Sequence, residues 1–445
     1  MKKTMVVDHG NNESEDRRSV SFARTSTSSS CSRTSPSCFP QQLEIDSGNE
    51  SVSEAGDIGD RALSSNRYSH SGRLFFSVEN AAESGLVVPI AEEGAWSHAF
   101  SPLPADAIIK SGDGSKDSNE EVPWWLEYIS SLLSLAVFGI LGVLLRYALE
   151  LLFGPGNVGA TSDQSYMYLD LPSNMVGSFL MGWFGVVFKA EISKISEQLA
   201  IGLSTGFLGS LTTFSGWNQK MLDLSVEGRW VFAMLGILIG LFLVAYSIIF
   251  GIETAKGVRL VLKRANINPS SWKVNSLKRH LAVSVTLLLT LAALWSVCIA
   301  EEIKVFKKGN SESRLWLGCL VGPFGVWIRW FLARLNGRGF GKSGLLKWVP
   351  FGTLIANVSA ACVMASLAAL KKAVKTKDCD TVVTGIQFGL LGCLSTVSTF
   401  VAEFHAMRES KQPWRAYAYA FATIISSFIL GTLLYSVPMW VKGYY

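Results

Sequence analysis

The chain has 445 residues, of which 49% are hydrophobic, and its formal net charge is +5. This modest charge excludes the concentrated basic face of a nucleic-acid-binding protein. The seven cysteines are scattered and form no CxxC pair, which excludes a disulfide framework and a cysteine metal site.

The N-terminal segment, residues 1–123, is rich in Ser, Asn, Asp and Glu and poor in aromatic residues, as in SFARTSTSSSCSRTSPS at 21–37. Such a composition cannot bury enough apolar surface to offset chain entropy, so we expect a disordered tail. The segment has no N-terminal apolar run with a cleavage site, so we expect no secretory signal.

From residue 124 onward, apolar segments recur at the length of roughly 20 residues that crosses a bilayer. The fifth, LAVSVTLLLTLAALWSVCI at 281–299, has no charge, whereas the third and eighth hold polar clusters. We predict nine membrane spans, at about 128–152, 168–189, 198–221, 230–252, 280–300, 314–334, 347–370, 382–406 and 415–440.

The distribution of Lys and Arg orients these spans. The loop at 151–169 has neither residue, whereas the stretch 256–279 has seven of them. Cytoplasmic loops of membrane proteins are enriched in positive charge, so we predict a cytoplasmic 256–279 and a cytoplasmic N-terminal tail. The lysines at 371–377 would then lie outside, against this tendency, and the larger cluster decides the orientation.

The chain also contains an internal repeat. The stretch GFLGSLTTFSGW at 206–217 returns as GLLGCLSTVSTF at 389–400, 183 residues later. The same offset separates Arg146 from Arg329, Asn174 from Asn357, and the glycines at 202, 206 and 209 from those at 385, 389 and 392. This gapless register predicts a duplicated four-helix unit.

One extra span lies between the two four-span units and inverts the second, so we expect a site near the membrane midplane between the halves. The predicted fold is an all-α membrane protein with two antiparallel four-helix units joined by one further helix. The predicted domains are the tail at 1–123, the first unit at 124–255, the basic linker with the inverter helix at 256–313, and the second unit at 314–445.

The repeated motif combines glycines and hydroxyl residues, which are poor helix formers. A broken helix at membrane depth is tolerated only against protein or a water-filled cavity. Released carbonyls can hold a small cation, and released amides and hydroxyls can bind a small anion. Phe214 and Trp217 lie on one helical face, where the positive edges of their rings can line an anion path.

Two further residue pairs are candidates for the same site. The mid-span amides of Asn174 and Asn357 can donate hydrogen bonds to an anion. Arg146 and Arg329 lie near span ends, where snorkelling to the headgroups is the simplest role, and we expect them to be structural, with a vestibule charge that gathers anions as the alternative. Ordinary helix packing explains one copy of the motif, but it does not account for two copies in fixed register.

The motif G-x-x-T-T-F-S-x-aromatic, preceded by G-x3-G and an Asn-bearing span, resembles the Fluc/CrcB fluoride channels over about residues 128–440. Two units joined by one extra helix resemble the tandem eukaryotic fluoride exporters, and the long polar tail is compatible with a plant or fungal member. The resemblance implies a passive fluoride channel in the plasma membrane that works as a monomer, with two halves in place of two subunits.

The resemblance also implies a set of site residues. It implies a buried Na+ held by the backbone carbonyls of Gly209, Thr212, Gly392 and Ser395. It implies fluoride paths lined by Asn174, Asn357, Phe214, Phe400, Thr213, Thr396, Tyr419, Thr423 and Ser427.

Two departures from the family pattern make the halves unequal. Val397 stands where a fourth aromatic residue is expected, and Trp217 is bulkier than the phenylalanine of the family. The stretch WVFAMLGILIGLFL at 230–243 has no hydroxyl to match Tyr419, Thr423 and Ser427. We therefore expect one working pore with Phe214 and Phe400, and one degenerate pore with Trp217 and Val397.

Other functions stay open. A proton-coupled transporter needs a titratable group deep in the membrane, for which Glu403 is the best candidate, although its simplest interpretation is a helix-end carboxylate near His405 and Arg408. A non-transporting membrane scaffold would use its tail to bind partners. An enzyme is not expected, because the sequence has no nucleophile–base set, phosphate loop or metal-ligand cluster.

Overall fold

The computed structural model describes residues 123–265, 277–306, 312–337 and 346–443. In these ranges every regular element is a helix. The predicted tail, up to residue 122, and residues 266–276 of the predicted basic linker lie outside the described residues.

The first half of the described chain contains helices α1 to α6. They are α1 (Trp124–Phe153), α2 (Leu171–Val187), α3 (Lys189–Ile195), α4 (197–211), α5 (Phe214–Val226) and α6 (Trp230–Arg264). The wider π-helical winding occurs in α2 at Met181–Val187 and in α4 at Gly202–Leu208.

The second half contains helices α8 to α12, and α7 connects the two halves. The helices are α7 (Leu277–Phe306), α8 (Ser313–Leu335), α9 (Phe351–Val374), α10 (377–394), α11 (Ser398–Arg408) and α12 (Trp414–Lys442). When 183 is added to the residue numbers of the first half, α1, α2, α4, α5 and α6 fall on α8 to α12 in that order. Helix α7 has no counterpart in this comparison.

Seven helical segments in the described ranges are long and apolar enough to cross a membrane, and the pair α2–α3, bent by 67°, adds an eighth. Judged by length and hydropathy, the described helices therefore give at most eight spans, one fewer than the nine predicted. The segment missing from this set is the third, predicted at 198–221, which the extended backbone at Thr212 and Thr213 divides into α4 and α5; the equivalent pair α10 and α11 counts as one segment, Lys377–Arg408.

The equivalent helices α1 and α8 pack closely against each other. Gly139 lies against Val326 and Gly322 lies against Val143, so the residue number rises along one helix as it falls along the other. The two helices are therefore antiparallel. The two contacts also exchange under the 183-residue offset, as expected for a two-fold relation between the halves.

Hydrogen bonds connect helix α7 to the first helix of each half. The hydroxyls of Ser130 in α1 and Ser284 in α7 are 2.5 Å apart, and Ser313 in α8 donates to the Glu302 carboxylate in α7 over 2.5 Å. Much of the remaining surface of α7 is exposed and apolar, including Leu289. Helix α7 thus covers the contact between α1 and α8 on one side.

Candidate functional site

The two helix breaks meet in the interior. Helices α4 and α10 end at residues 211 and 394, where Thr212 and Ser395 follow as extended residues, and helices α5 and α11 begin at residues 214 and 398. Six hydroxyl residues surround the meeting point and are almost completely buried; we call them the central hydroxyl network. They are Thr212, Thr213, Ser215, Ser395, Thr396 and Ser398.

Each half caps the helix that follows the break of the other half. The Ser395 hydroxyl accepts hydrogen bonds from the backbone N–H groups of Phe214 and Ser215, at 3.2 and 3.0 Å. The Thr212 hydroxyl accepts the equivalent bonds from Val397 and Ser398, at 3.2 and 3.1 Å. Side-chain capping satisfies amides that a helix start leaves without partners, so neither half completes its break alone.

The side chains of two asparagines form hydrogen bonds with the backbone at the breaks. Asn174 accepts from the N–H of Thr213 at 2.8 Å and donates to its carbonyl at 3.1 Å. Asn357 makes the same pair of bonds to Thr396, at 2.8 and 3.1 Å. Each side-chain amide thus replaces the helical bonding that its break removes.

The remaining amide hydrogen distinguishes the two asparagines. In Asn174 it is donated to the Tyr168 hydroxyl at 3.2 Å. The Asn357 amide nitrogen makes one hydrogen bond within the described ranges, to the Thr396 carbonyl, and its second hydrogen is not used there. Asn357 therefore keeps a donor for a ligand, and Asn174 does not.

The breaks release backbone carbonyls. In a continuous helix the N–H groups of Thr213 and Gly216 would bond to the carbonyls of Gly209 and Thr212. They donate instead to the side chains of Asn174 and Thr213. The second half repeats this with Thr396 and Thr399, which donate to Asn357 and Thr396. The carbonyls released in this way are those of Gly209, Thr212, Gly392 and Ser395.

Released carbonyl oxygens are hard ligands of the kind that hold Na+ in unwound membrane helices. The four carbonyls belong to buried residues on two breaks that touch, since the Thr212 and Thr396 hydroxyls are 3.2 Å apart. The donor set is therefore of the kind that suits the Na+ implied by the resemblance to the Fluc/CrcB channels.

Each of the two arginines reaches from its own half to a backbone carbonyl of the other half. Arg146 donates to the Phe388 carbonyl at 2.5 Å, and Arg329 donates to the Thr205 carbonyl at 2.8 Å, which is the equivalent contact. Both side chains are buried, so the snorkelling position considered for them is wrong. A Cβ on Gly392 would lie 2.3 Å from the Arg146 guanidinium, so a larger residue there would force the arginine to shift.

Each arginine also lines a cavity. The first cavity has a volume of about 240 Å³ and is lined by Arg146, Asp170 and Thr213, among others. The equivalent position, at Arg329 and Thr396, holds a cavity of only about 20 Å³. The two-fold relation at the centre is thus lost towards the two ends of the molecule.

Aromatic rings from the two halves meet beside a row of hydroxyl groups. The ring centroids of Phe214 and Phe400 are 5.9 Å apart, and those of Phe400 and Tyr419 are 5.3 Å apart. Tyr419, Thr423 and Ser427 are buried along α12 at spacings of four residues, and we call them the hydroxyl row. The Ser427 hydroxyl has no hydrogen-bond partner in the described ranges, so it is available to a ligand.

The position of Glu403 corrects the simplest interpretation of that residue. Its carboxylate is buried rather than exposed at a helix end, and it accepts hydrogen bonds from Tyr419 at 2.7 Å and from Thr353 at 2.6 Å. It therefore adjoins the first residue of the hydroxyl row.

Trp217 and Val397 lie in a shared buried apolar cluster. The Trp217 ring stacks on Tyr168 with centroids 5.9 Å apart and an interplanar angle of 9°, and its Nε1 donates to the Gly236 carbonyl at 3.2 Å. Gly236 and Gly240 occupy the positions equivalent to Tyr419 and Thr423. No hydroxyl row accompanies this indole.

Sequence reasoning missed Ser215, Ser398 and Tyr168. The two serines carried a signal, since both motifs have a serine at the same register. No sequence signal pointed to Tyr168, because its counterpart in the second half is Phe351. Its contacts with Asn174 and Trp217 depend on the fold.

Two segments of the chain, residues 133–252 and 316–434, match the family described as CrcB-like protein, Camphor Resistance (CrcB). Among curated relatives, the Fluoride-specific ion channel FluC of Geobacter metallireducens is 34% identical over 126 residues, which is 28% of this chain and 97% of that protein. FluC 2 of Listeria monocytogenes is 37% identical over 102 residues, or 23% of this chain and 72% of that protein. No solved structure matches the chain.

These matches and the apolar helices define the chain as an integral membrane protein built from a duplicated helical unit. The two matched segments cover more than half of the chain. The chain therefore belongs to the CrcB family and carries two copies of its domain.

Proposed function

We propose that this protein is a passive, selective fluoride channel that lets fluoride leave the cytoplasm, with one working path and one degenerate path. The observation that carries this proposal is the meeting of Phe214 and Phe400, from opposite halves, beside the hydroxyl row. Membership in a family whose curated relatives are named fluoride-specific ion channels supports it and argues against an enzyme.

A passive pore is sufficient for export. Hydrogen fluoride enters cells as a neutral weak acid and dissociates at cytoplasmic pH, and the anion cannot recross the lipid. An inside-negative membrane potential drives each anion outward with about 2.3 kcal/mol per 100 mV.

The working path is the one that passes Phe400, the hydroxyl row and the free amide hydrogen of Asn357. Fluoride is small and strongly hydrated, so donors must replace its water shell at close range. Ring edges, hydroxyls and an amide supply such donors without a fixed charge that would trap the ion. Thr213 and Thr396 contribute at the inner ends of the two cavities.

We further propose that the halves are inserted in opposite directions through nine spans. In this layout α4 and α5 together form the third span of the chain, which completes the nine. The antiparallel packing of α1 and α8 supports this layout. The basic stretch after α6 supports a cytoplasmic N-terminus. The two halves of one chain supply both sides of the centre, which favours a monomer, and fluoride export favours the plasma membrane.

The released carbonyls of the two breaks would hold a structural Na+ at the centre. A bound cation there would supply positive charge that joins the two halves. The chain itself orients the carbonyls through Asn174, Asn357 and the capping hydroxyls.

The test of the function is fluoride efflux from liposomes that contain the purified protein, with chloride as the control anion. We expect fluoride efflux under a membrane potential and no comparable chloride efflux. Equal efflux of both anions, or none, would refute a selective fluoride channel.

The path assignment is tested with single substitutions in the same assay. Phe400→Ile removes a ring edge from the working path, so we expect fluoride efflux to be lost. Trp217→Ile alters the degenerate path, so we expect efflux through the working path to continue. The opposite pair of results would reverse the assignment of the two paths.

One observation favours a second candidate, a proton-coupled fluoride transporter. The Glu403 carboxylate is buried and bonded to Tyr419, and coupled transport requires a titratable group at such a depth. For the channel we expect Glu403→Gln to reduce efflux at most partly and without changing its dependence on voltage. Loss of proton movement together with fluoride movement in this variant would favour the transporter.

A non-transporting scaffold is separated from both by removing the tail. A chain that lacks residues 1–120 keeps all the described helices, so a channel should retain its flux. A scaffold would lose its function while its membrane part remained folded.

A further inference from the structure

The first half has lost side chains at the positions where the second half has its hydroxyl row. Gly236 and Gly240 stand in place of Tyr419 and Thr423, and Trp217 stands in place of Phe400. A Cβ on Gly240 would lie 2.8 Å from Cζ2 of the Trp217 indole and 3.0 Å from its Cε2, closer than side chains pack. The indole therefore occupies the space next to Gly240, and Met221 occupies the space next to Gly236.

The indole is fixed from three sides. Its Nε1 donates to the Gly236 carbonyl on α6, Tyr168 stacks on one face, and the ring of Phe214 meets it edge-on with centroids 5.8 Å apart. Only 2% of Trp217 is exposed. A side chain held by a hydrogen bond and two ring contacts leaves no space for an ion to pass.

The amide hydrogens of Asn174, beside this indole, are also already used in hydrogen bonds. Tyr168, which stacks on Trp217, also accepts the second amide hydrogen of Asn174. The Asn357 amide nitrogen, by contrast, makes a single hydrogen bond in the described part of the chain, to the Thr396 carbonyl. At Trp217 the first path therefore has neither open space nor a free amide donor, and the cavity of about 240 Å³ reaches Tyr168 and Thr213 but not the indole.

We propose that Trp217 is a steric seal that keeps the first path closed to ions, and that its removal opens a leak. The inference rests on the proposed function only for the statement that Phe400 belongs to the other path. An opened first path would lack the hydroxyl row and the free amide of the second, so the leak should discriminate poorly between fluoride and chloride.

The test is anion flux in liposomes in a Phe400→Ile background, which silences the working path. We expect Phe400→Ile alone to give no flux, and the addition of Trp217→Ala to give both fluoride and chloride flux above that of protein-free liposomes. The matched control is Trp230→Ala, which removes an equal side chain from an exposed position at the start of α6. A folded double variant without flux would overturn the seal.

A second measurement keeps the inference testable if the double variant does not fold. We expect Gly240→Ala to lower the Tm of the otherwise unchanged protein by several degrees, because the new Cβ meets the indole. The same change should cost little in Trp217→Phe, since Phe400 already accommodates the Cβ of Thr423 in the second half. An equal loss of Tm in both backgrounds would show that the indole does not fill this space.

The two proposals can fail separately. If the unchanged protein moves no fluoride, the channel function is refuted, while the leak of the double variant still reports on the seal. If the unchanged protein moves fluoride and the double variant is folded and tight, the channel function stands and the seal is refuted.

Discussion

Thr212 and Ser395 perform the same task for opposite halves of the molecule. Each hydroxyl accepts two backbone N–H groups from the start of a helix in the other half. Both residues are fully buried, so no water replaces these bonds when the hydroxyl is removed. The stability of each half therefore depends on a side chain that the other half supplies.

We predict that Thr212→Val destabilises the protein by about 1–3 kcal/mol, because two buried amides lose their acceptor. The measurement is thermal unfolding in detergent, and Thr212→Ser should retain most of the stability. Thr286→Val, at an exposed position on α7 where the hydroxyl bonds only to its own helix, is the matched control. Equal losses for Thr212→Val and Thr286→Val would contradict the capping role.

At the scale of helices, the breaks could be predicted because glycines and hydroxyl residues interrupt two apolar segments in fixed register. The fixed offset also predicted which helices correspond. The partners of Arg146 and Arg329 could not be predicted, since each arginine bonds to a backbone carbonyl on a helix more than a hundred residues away. Glu403 was misjudged because its charge suggested an exposed helix end, whereas Tyr419 and Thr353 supply hydrogen bonds that allow its burial.

The third span is the one that length and hydropathy do not identify. The equivalent pair α10 and α11, which has a break at the same register, is long and apolar enough to count as one segment. Helices α4 and α5 therefore form a single span only in the proposed layout.

We predict that deletion of α7 together with its flanking segments, residues 266–311, abolishes fluoride efflux. Without this span the second unit would follow directly after the four spans of the first, an even number, so the halves would insert in the same direction and the antiparallel contact between α1 and α8 could not form. Efflux from purified, reconstituted protein measures the result. Replacing α7 with an unrelated apolar helix of equal length should restore part of the activity, and activity without any helix there would contradict the inverted layout.

At the scale of the whole molecule, the two halves are alike at the centre and different towards the ends. The central hydroxyl network and the released carbonyls obey the two-fold relation, whereas the cavities of about 240 and 20 Å³ do not. Any ligand that binds at the centre contacts both halves and should therefore stabilise the molecule as one unit.

We predict that Na+ raises the Tm of the protein in a concentration-dependent manner, because a ligand that binds only the folded state shifts the unfolding equilibrium. Thermal unfolding in NaCl and in N-methyl-D-glucamine chloride at equal ionic strength separates specific binding from screening. An identical Tm in the two salts at every concentration would argue against a sodium site.

The placement of Trp217 also explains what a covalent duplication permits. In a homodimer of identical subunits, every substitution occurs twice, so a tryptophan at this position would also replace Phe400 and obstruct both routes. Joining the two copies in one polypeptide lets them diverge, so that, under the proposed function, the path at Trp217 closes while the path at Phe400 continues to conduct. The shared centre cannot diverge in this manner, because each copy there is a structural ligand of the other.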